Sequence, residues 1–114
     1  MAETLVIDRR KWLRGEGSDV SKLMRGSDGK MCCLGFYCRM LGFSEDEMLW
    51  CADPQDLRDR TMADDAKLGW LLWGRDIVNE LIEANDHLHL YETEREAKIA
   101  CLFAEQGVEV RFVN

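Results

Sequence analysis

The sequence predicts an α+β fold: a mostly helical single domain spanning residues 1–114, with a small sheet formed by its N- and C-terminal strands. Three observations carry this. Leu5-Val6-Ile7 is a β-branched run between polar neighbours. Val108 to Val113 alternates apolar and polar residues, the pattern of a half-buried strand. Between them, apolar residues recur at steps of three and four, punctuated by glycine and by short polar residues suited to helix caps. Two strands at opposite ends of a helical chain escape being lone edges most simply by pairing with each other and packing on the helices. Strand direction stays open, antiparallel pairing being the commoner arrangement.

Taken in order, Asp8 reads as an N-cap for a turn over Arg9 to Arg14 that Gly15 closes. Residues 15–29 are rich in Gly, Ser and Asp and read as loop, with room for a short helical turn from Val20 to Met24. From Met31 the spacing of Cys33, Phe36, Tyr37, Met40 and Leu41 gives a helix with one broad apolar face, stopped by Gly42. Gly35, in its middle, costs about 1 kcal/mol relative to Ala. It therefore suggests close approach of another backbone, with the N-terminal strand as the candidate. Ser44-Glu45-Asp46-Glu47 is a capping box opening a short helix. Asp53-Pro54 disfavours helix at residue 53, and residues 51–66 read as loop or short helical turns.

Leu68 to Trp73 is too short to assign by period. Ile77, Val78, Leu81 and Ile82 form a helical stripe that ends near Ala84 and Asn85. Thr93-Glu94-Arg95-Glu96 is a second capping box, opening a helix that Gly107 stops.

The chain has 114 residues, enough for one hydrophobic core. Its apolar runs fall far short of the ~20 residues a membrane-crossing helix needs, and no basic segment leading into an apolar stretch opens it. The expectation is a cytoplasmic protein with no membrane partner. Fifteen Lys and Arg face twenty-two Asp and Glu, for a net charge of -7. Direct nucleic-acid binding is disfavoured, because it needs clustered positive charge. The charge is also uneven: residues 1–43 hold eight basic and five acidic side chains, and residues 44–114 hold seven and seventeen. The acidic part is either a solvated surface or a match for a partner's basic surface.

No catalytic set stands out. Five cysteines, Cys32, Cys33, Cys38, Cys51 and Cys101, lack zinc-ligand spacing, as does His87-x-His89, so no metal and no cofactor is expected. Cys32 or Cys33 near a helix N-terminus is a candidate nucleophile with His87 or His89 as base, set against the reading as core thiols. Asp53, Asp56, Asp59, Asp64 and Asp65 form an acidic stretch without a calcium-loop pattern. Arg9, Arg10, Lys11 and Arg14 surround Trp12, which suits either a phosphate clamp with a stacked base or ion pairs folded back onto the acidic half. Trp12, Trp50, Trp70 and Trp73 are four indoles in a small chain, and Trp70 and Trp73 share a helical spacing with Ile77. Tryptophan and arginine are enriched at interface hot spots, so at least one of the four is expected at a binding surface.

Two segments, Ile7 to Gly17 (I-D-R-R-K-W-L-R-G-E-G) and Asp28 to Phe36 (D-G-K-M-C-C-L-G-F), resemble a family of small proteins encoded by tailed bacteriophages and prophages; Gly107 to Val113 is similar to its C-terminal segment. The resemblance implies a setting, the bacterial host cytoplasm, and carries over no catalytic residues.

Together these readings give an acidic phage-encoded inhibitor that binds a host protein or complex, with a defence complex of the CRISPR type as one candidate and a nucleic-acid-binding complex among the targets the charge is compatible with. The residues expected to make contact are Arg9, Arg10, Trp12, Arg14, Trp50, Trp70, Trp73, Asp53, Asp56 and Asp59. The alternative is a nucleotide- or signalling-molecule-binding protein or enzyme that uses the Arg9–Arg14 turn on phosphate. A homodimer is compatible with either.

Overall fold

The computed structural model describes residues 3–14, 22–87 and 90–114. Strand β1 (Glu3–Asp8) pairs in parallel with β2 (Val108–Val113), in register from Glu3 opposite Val108 to Asp8 opposite Val113. The terminal strands thus make the sheet, and their direction is the less common one. A preference for antiparallel pairs comes largely from hairpins. Here the two strands are separated by the whole helical body, which acts as one long crossover connection. Among the described residues, seven α-helices follow β1: α1 (Cys33–Met40), α2 (Glu45–Met48), α3 (Pro54–Thr61), α4 (Asp65–Leu68), α5 (Trp70–Trp73), α6 (Arg75–Asp86) and α7 (Glu92–Ala104). Helices α1 and α7 pack against β1 and β2 respectively, and α6 packs on both helices.

Asp8 does cap a turn, its side chain accepting from the Arg10 amide, but that turn is a three-residue 3-10 helix, Arg9–Lys11. The chain then extends, because Leu13 N–H donates to Met31 C=O (2.8 Å) and Met31 N–H donates to Lys11 C=O (2.9 Å). The Arg-rich segment and the Asp28–Phe36 segment therefore lie side by side. Gly15 and Val20 are outside the described residues. Within the proposed turn at 20–24, Met24 instead bridges to Leu49.

Helix α1 buries Cys33 through Cys38 and ends at Gly42, whose φ of +104° makes the expected left-handed stop. Gly35 does admit a second backbone, but that of Leu23 rather than the strand: a Cβ at Gly35 would sit 2.0 Å from the Leu23 carbonyl oxygen. The Ser44 capping box forms with both arms, Ser44 Oγ accepting from Glu47 N–H (3.1 Å) and Glu47 accepting from Ser44 N–H (2.8 Å).

Two segments differ from expectation. Residues 54–61 form an eight-residue helix, because Pro54 sits at its first position, where a missing N–H costs nothing, and Asp53 caps it from extended backbone. Helix α7 begins at Glu92 rather than after Thr93, with Tyr91 as an N-cap that offers no side-chain bond. Glu96, expected to reach back to Thr93, is instead held by Arg9.

The core joins α1, α6, α7 and β1 around Trp12, Phe43, Phe103, Ile7 and Leu81. Tyr37, Trp70 and Phe103 form an aromatic cluster with centroids 5.3–5.8 Å apart, and Trp70 Nε1–H donates to Tyr37 Oη (3.2 Å). The Asn85 side chain lies inside this core, 1% exposed. Asn85 Oδ1 accepts from Trp12 Nε1–H (2.8 Å) and Cys33 N–H (3.0 Å), while Nδ2–H donates to Leu13 C=O (2.9 Å) and Asp86 Oδ1 (3.0 Å). Replacing Asn85 by Ala strands a buried indole N–H, an amide and a carbonyl. Urea unfolding is expected to show a loss of about 3 kcal/mol; a loss under about 1 kcal/mol would contradict this account of the junction.

Candidate functional site

The Arg-rich turn is occupied from within. Arg9 makes a two-pronged pair with Glu96 of α7, Nε to Oε2 at 2.8 Å and Nη2 to Oε1 at 2.7 Å. Arg14 pairs with Glu92 of the same helix (2.9 Å), and its guanidinium lies 4.3 Å from the centre of the Trp12 ring system. Arg10 meets Asp8 at 3.4 Å. Trp12 is 1% exposed, its indole spent on Asn85, so it presents no face to a base or a partner. That is a correction to its place among the contact residues, and its cause is the buried bond partner.

The acidic stretch is largely spent on helix ends. Asp53 accepts from Asp56 N–H (2.9 Å), and Asp56 reaches back to Ala52 N–H (3.1 Å). Asp59 accepts from Gln55 Nε2–H (3.2 Å), Asp64 caps α4 through Ala66 N–H (3.0 Å), and Asp65 pairs with Arg58 (2.9 Å). Among the described residues no three His, Cys, Asp or Glu come together in a way that would hold a metal ion.

Nor is there an activated thiol in the core. Burial pushes Cys32 up to about 12, and raises Cys33 and Cys38 as well, outweighing the favourable helix terminus. Cys51 is raised for the same reason. His87 lends its carbonyl to Arg95 at the end of α6, and His89 lies outside the described residues. A cleft between α3, α5 and α6, bordered by Asp53, Pro54, Leu72, Arg75, Asn79 and Ile82, encloses about 30 Å³. That holds about one water, where ligand pockets run to several hundred Å³.

The large apolar side chains that face outward include two indoles as well as Val6, Met62 and Tyr91. Trp70 is half-buried, but Trp73, three residues on in α5, is 70% exposed beside the cleft residue Leu72. Trp50 is 54% exposed and has φ of +66°, a left-handed conformation that bulky residues rarely adopt. Its backbone is pinned there: Trp50 N–H donates to Met24 C=O (2.9 Å), and the Arg60 guanidinium bonds the carbonyls of Leu49 and Glu47. The ring lies flush on Gly26, where a Cβ would come within 2.3 Å of it, and the Lys22 ammonium stands 6.0 Å from its centre. Gly26 belongs to a turn closed by Arg25 N–H to Lys30 C=O (2.8 Å) and by Asp28, which takes both Nε and Nη2 of Arg25 and the Lys30 amide. The sequence pattern gave no sign of this seat, because it depends on a glycine twenty-four positions away. It also hid Asn85, which reads as a helix end, and Arg95, which reads as the interior of a capping box.

Two expectations follow. In the native protein a thiol reagent should modify Cys101, the exposed cysteine, rapidly, and reach the four buried ones only on unfolding; rapid modification of more than one would show the core thiols to be accessible. The Arg25 side chain, then the Lys30 amide, hold the Asp28 carboxyl down from its ordinary 3.8 to about 2. Because the folded value is depressed, the stabilisation is complete above pH 3.8 and fades as pH falls through about 2. Asp28→Asn should lose stability relative to wild type near neutrality, and the difference should shrink across that acid window; a constant difference would contradict the pairing. No family model, curated protein or solved structure matches this chain.

Proposed function

We propose that the protein is a non-enzymatic binding module that uses exposed indoles, on a chain of net negative charge, to occupy the basic surface of a partner protein. The observation that carries this reading is Trp50, a large apolar side chain kept half in solvent at a backbone angle that costs on the order of 1 kcal/mol or more. Strain of that kind in an exposed residue suits a side chain selected for what it presents. Trp73 adds a second indole, and tryptophan contributes more per residue at protein interfaces than almost any other side chain. The net charge of -7 supplies the steering toward a positively charged target.

The finer reading is a phage-encoded inhibitor of a host complex, a CRISPR-type defence complex among the candidates, acting in the bacterial cytoplasm. It rests on the resemblance of the Ile7–Gly17 and Asp28–Phe36 segments. The phosphate-binding alternative has less support, since Arg9 and Arg14 are engaged by Glu96 and Glu92.

Tagged wild-type protein and the variants Trp50→Ala and Trp73→Asp, each checked for an unchanged melting curve, should be compared as baits in bacterial host lysate. The expected result is a protein retained by wild type, lost from at least one variant, and released by raised salt. Identical retention by all three baits, or nothing retained by folded wild type, would overturn the proposal.

A further inference from the structure

We propose that two copies of this chain associate through the free edge of β2, pairing antiparallel about a twofold axis at Val110 to make a continuous four-stranded sheet, β1-β2-β2-β1. Among the described residues, the sheet within one copy has two strands. Strand β1 occupies one edge of β2, and among the described residues no backbone group of 108–113 has a partner on the other edge. Six residues long, β2 has neither proline nor a bulge to blunt its edge; of the usual devices it carries only the charged side chains Glu109 and Arg111.

Burial across the sheet is lopsided in the matching direction. Leu5 and Ile7 on β1 are fully buried, whereas their register partners Val110 and Phe112 on β2 are only half covered. The core-side face of the sheet is finished at β1 and unfinished at β2. More apolar surface placed beside β2 would complete it.

The sequence of β2 then selects the occupant. In an antiparallel pair, residues directly opposite each other share a face, so a twofold axis between identical strands must pass through a residue. An axis at Glu109 sets Glu109 against Glu109, and one at Arg111 sets Arg111 against Arg111; like charges directly opposite are destabilising. An axis at Val110 sets Glu109 of each copy opposite Arg111 of the other on the solvent face. It also joins Val110 to Val110, and Val108 to Phe112, on the core face. Neither Glu109 nor Arg111 makes an ion pair within the described residues, so both are available. Strand β1 has no such self-complementarity, since its Asp8 is engaged with Arg10 and no basic residue lies within Glu3–Asp8. The association is independent of the target-binding reading, because it uses neither Trp50 nor Trp73.

Sedimentation velocity in reductant, from micromolar to millimolar protein, tests it. Reductant removes any dimer linked through Cys101. Wild type should move with concentration toward twice 13.2 kDa. Arg111→Glu, which turns both cross-strand pairs into like charges, should weaken the dimer by about tenfold or more. The double swap, Glu109→Arg with Arg111→Glu, should restore it, which also rules out misfolding as the cause of the loss. A wild type monomeric throughout, as when the edge serves a different protein's strand, would overturn the inference. So would an Arg111→Glu variant that dimerises like wild type, or a double swap no better than the single change.

Discussion

A single carboxamide holds the architecture together. The side chain of Asn85 has two hydrogens to give and a carbonyl oxygen able to accept twice, and all four capacities are used. Its partners come from the segment after β1, from the first turn of α1 and from the end of α6, places far apart in the chain. Helix α1 has no side-chain cap of its own at Cys32, so the Asn85 oxygen takes over that role from 52 residues away. An aspartate could not serve, because it has no hydrogen for the Leu13 carbonyl and would bring a charge into the core. The opposite end of the requirement falls on Arg95. Its guanidinium donates to the carbonyls of Ala84, Asn85, His87 and Leu90, tying off the end of α6 and fixing α7 against it. A buried network of this kind is strong only when complete. Its Nε atom is the one buried side-chain nitrogen or oxygen among the described residues without a hydrogen bond, and the Glu92 carboxylate stands 3.7 Å from it.

This junction explains why the charge asymmetry of the chain does not become a basic patch. Once α7 is anchored beside the turn at residues 9–14, its first two turns present Glu92 and Glu96 to Arg14 and Arg9. The basic excess of the first 43 residues is partly neutralised by the acidic excess of the rest. Exposed ion pairs contribute little to stability in general, but the forked Arg9–Glu96 geometry, with Glu96 largely buried, is of the more favourable kind. Two of the cations that could have met phosphate, Arg9 and Arg14, are thereby held by carboxylates of the same chain.

Local chemistry was legible in the sequence, and long-range geometry was not. Alternation at Val108–Val113, the Ser44 box and the stops at Gly42 and Gly107 each depend on a few adjacent residues, and each appears where its pattern places it. The errors share a different cause. Thr93 has the right spacing for a cap, yet Glu96 finds a guanidinium on the first turn of the chain and the helix starts earlier. The Asp53-Pro54 step excludes helix at 53 while favouring it from 54, and the first effect masked the second. The apolar run at Leu68–Trp73 is divided by Gly69 at φ +55° into two short helices that no period could reveal. For the candidate site, tryptophan content pointed to indoles at the surface, but which ones face outward depends on partners elsewhere in the fold. Trp12 has Asn85, Trp70 has Tyr37, and Trp50 lies against the backbone of Gly26.

That contrast bears on the proposed binding surface. An indole whose N–H is bonded to a neighbouring side chain contributes to stability through that bond. Trp50 rests on a glycine because any side chain there would displace the ring, and the left-handed backbone at residue 50 sets the direction in which the ring leaves the chain. A ring held in this way loses little conformational freedom on contact with a partner, and that loss is among the larger costs of association. The seat for Trp50 is itself braced by Asp28 and Arg25. Side chains that touch no partner would therefore govern affinity through the orientation of one that does.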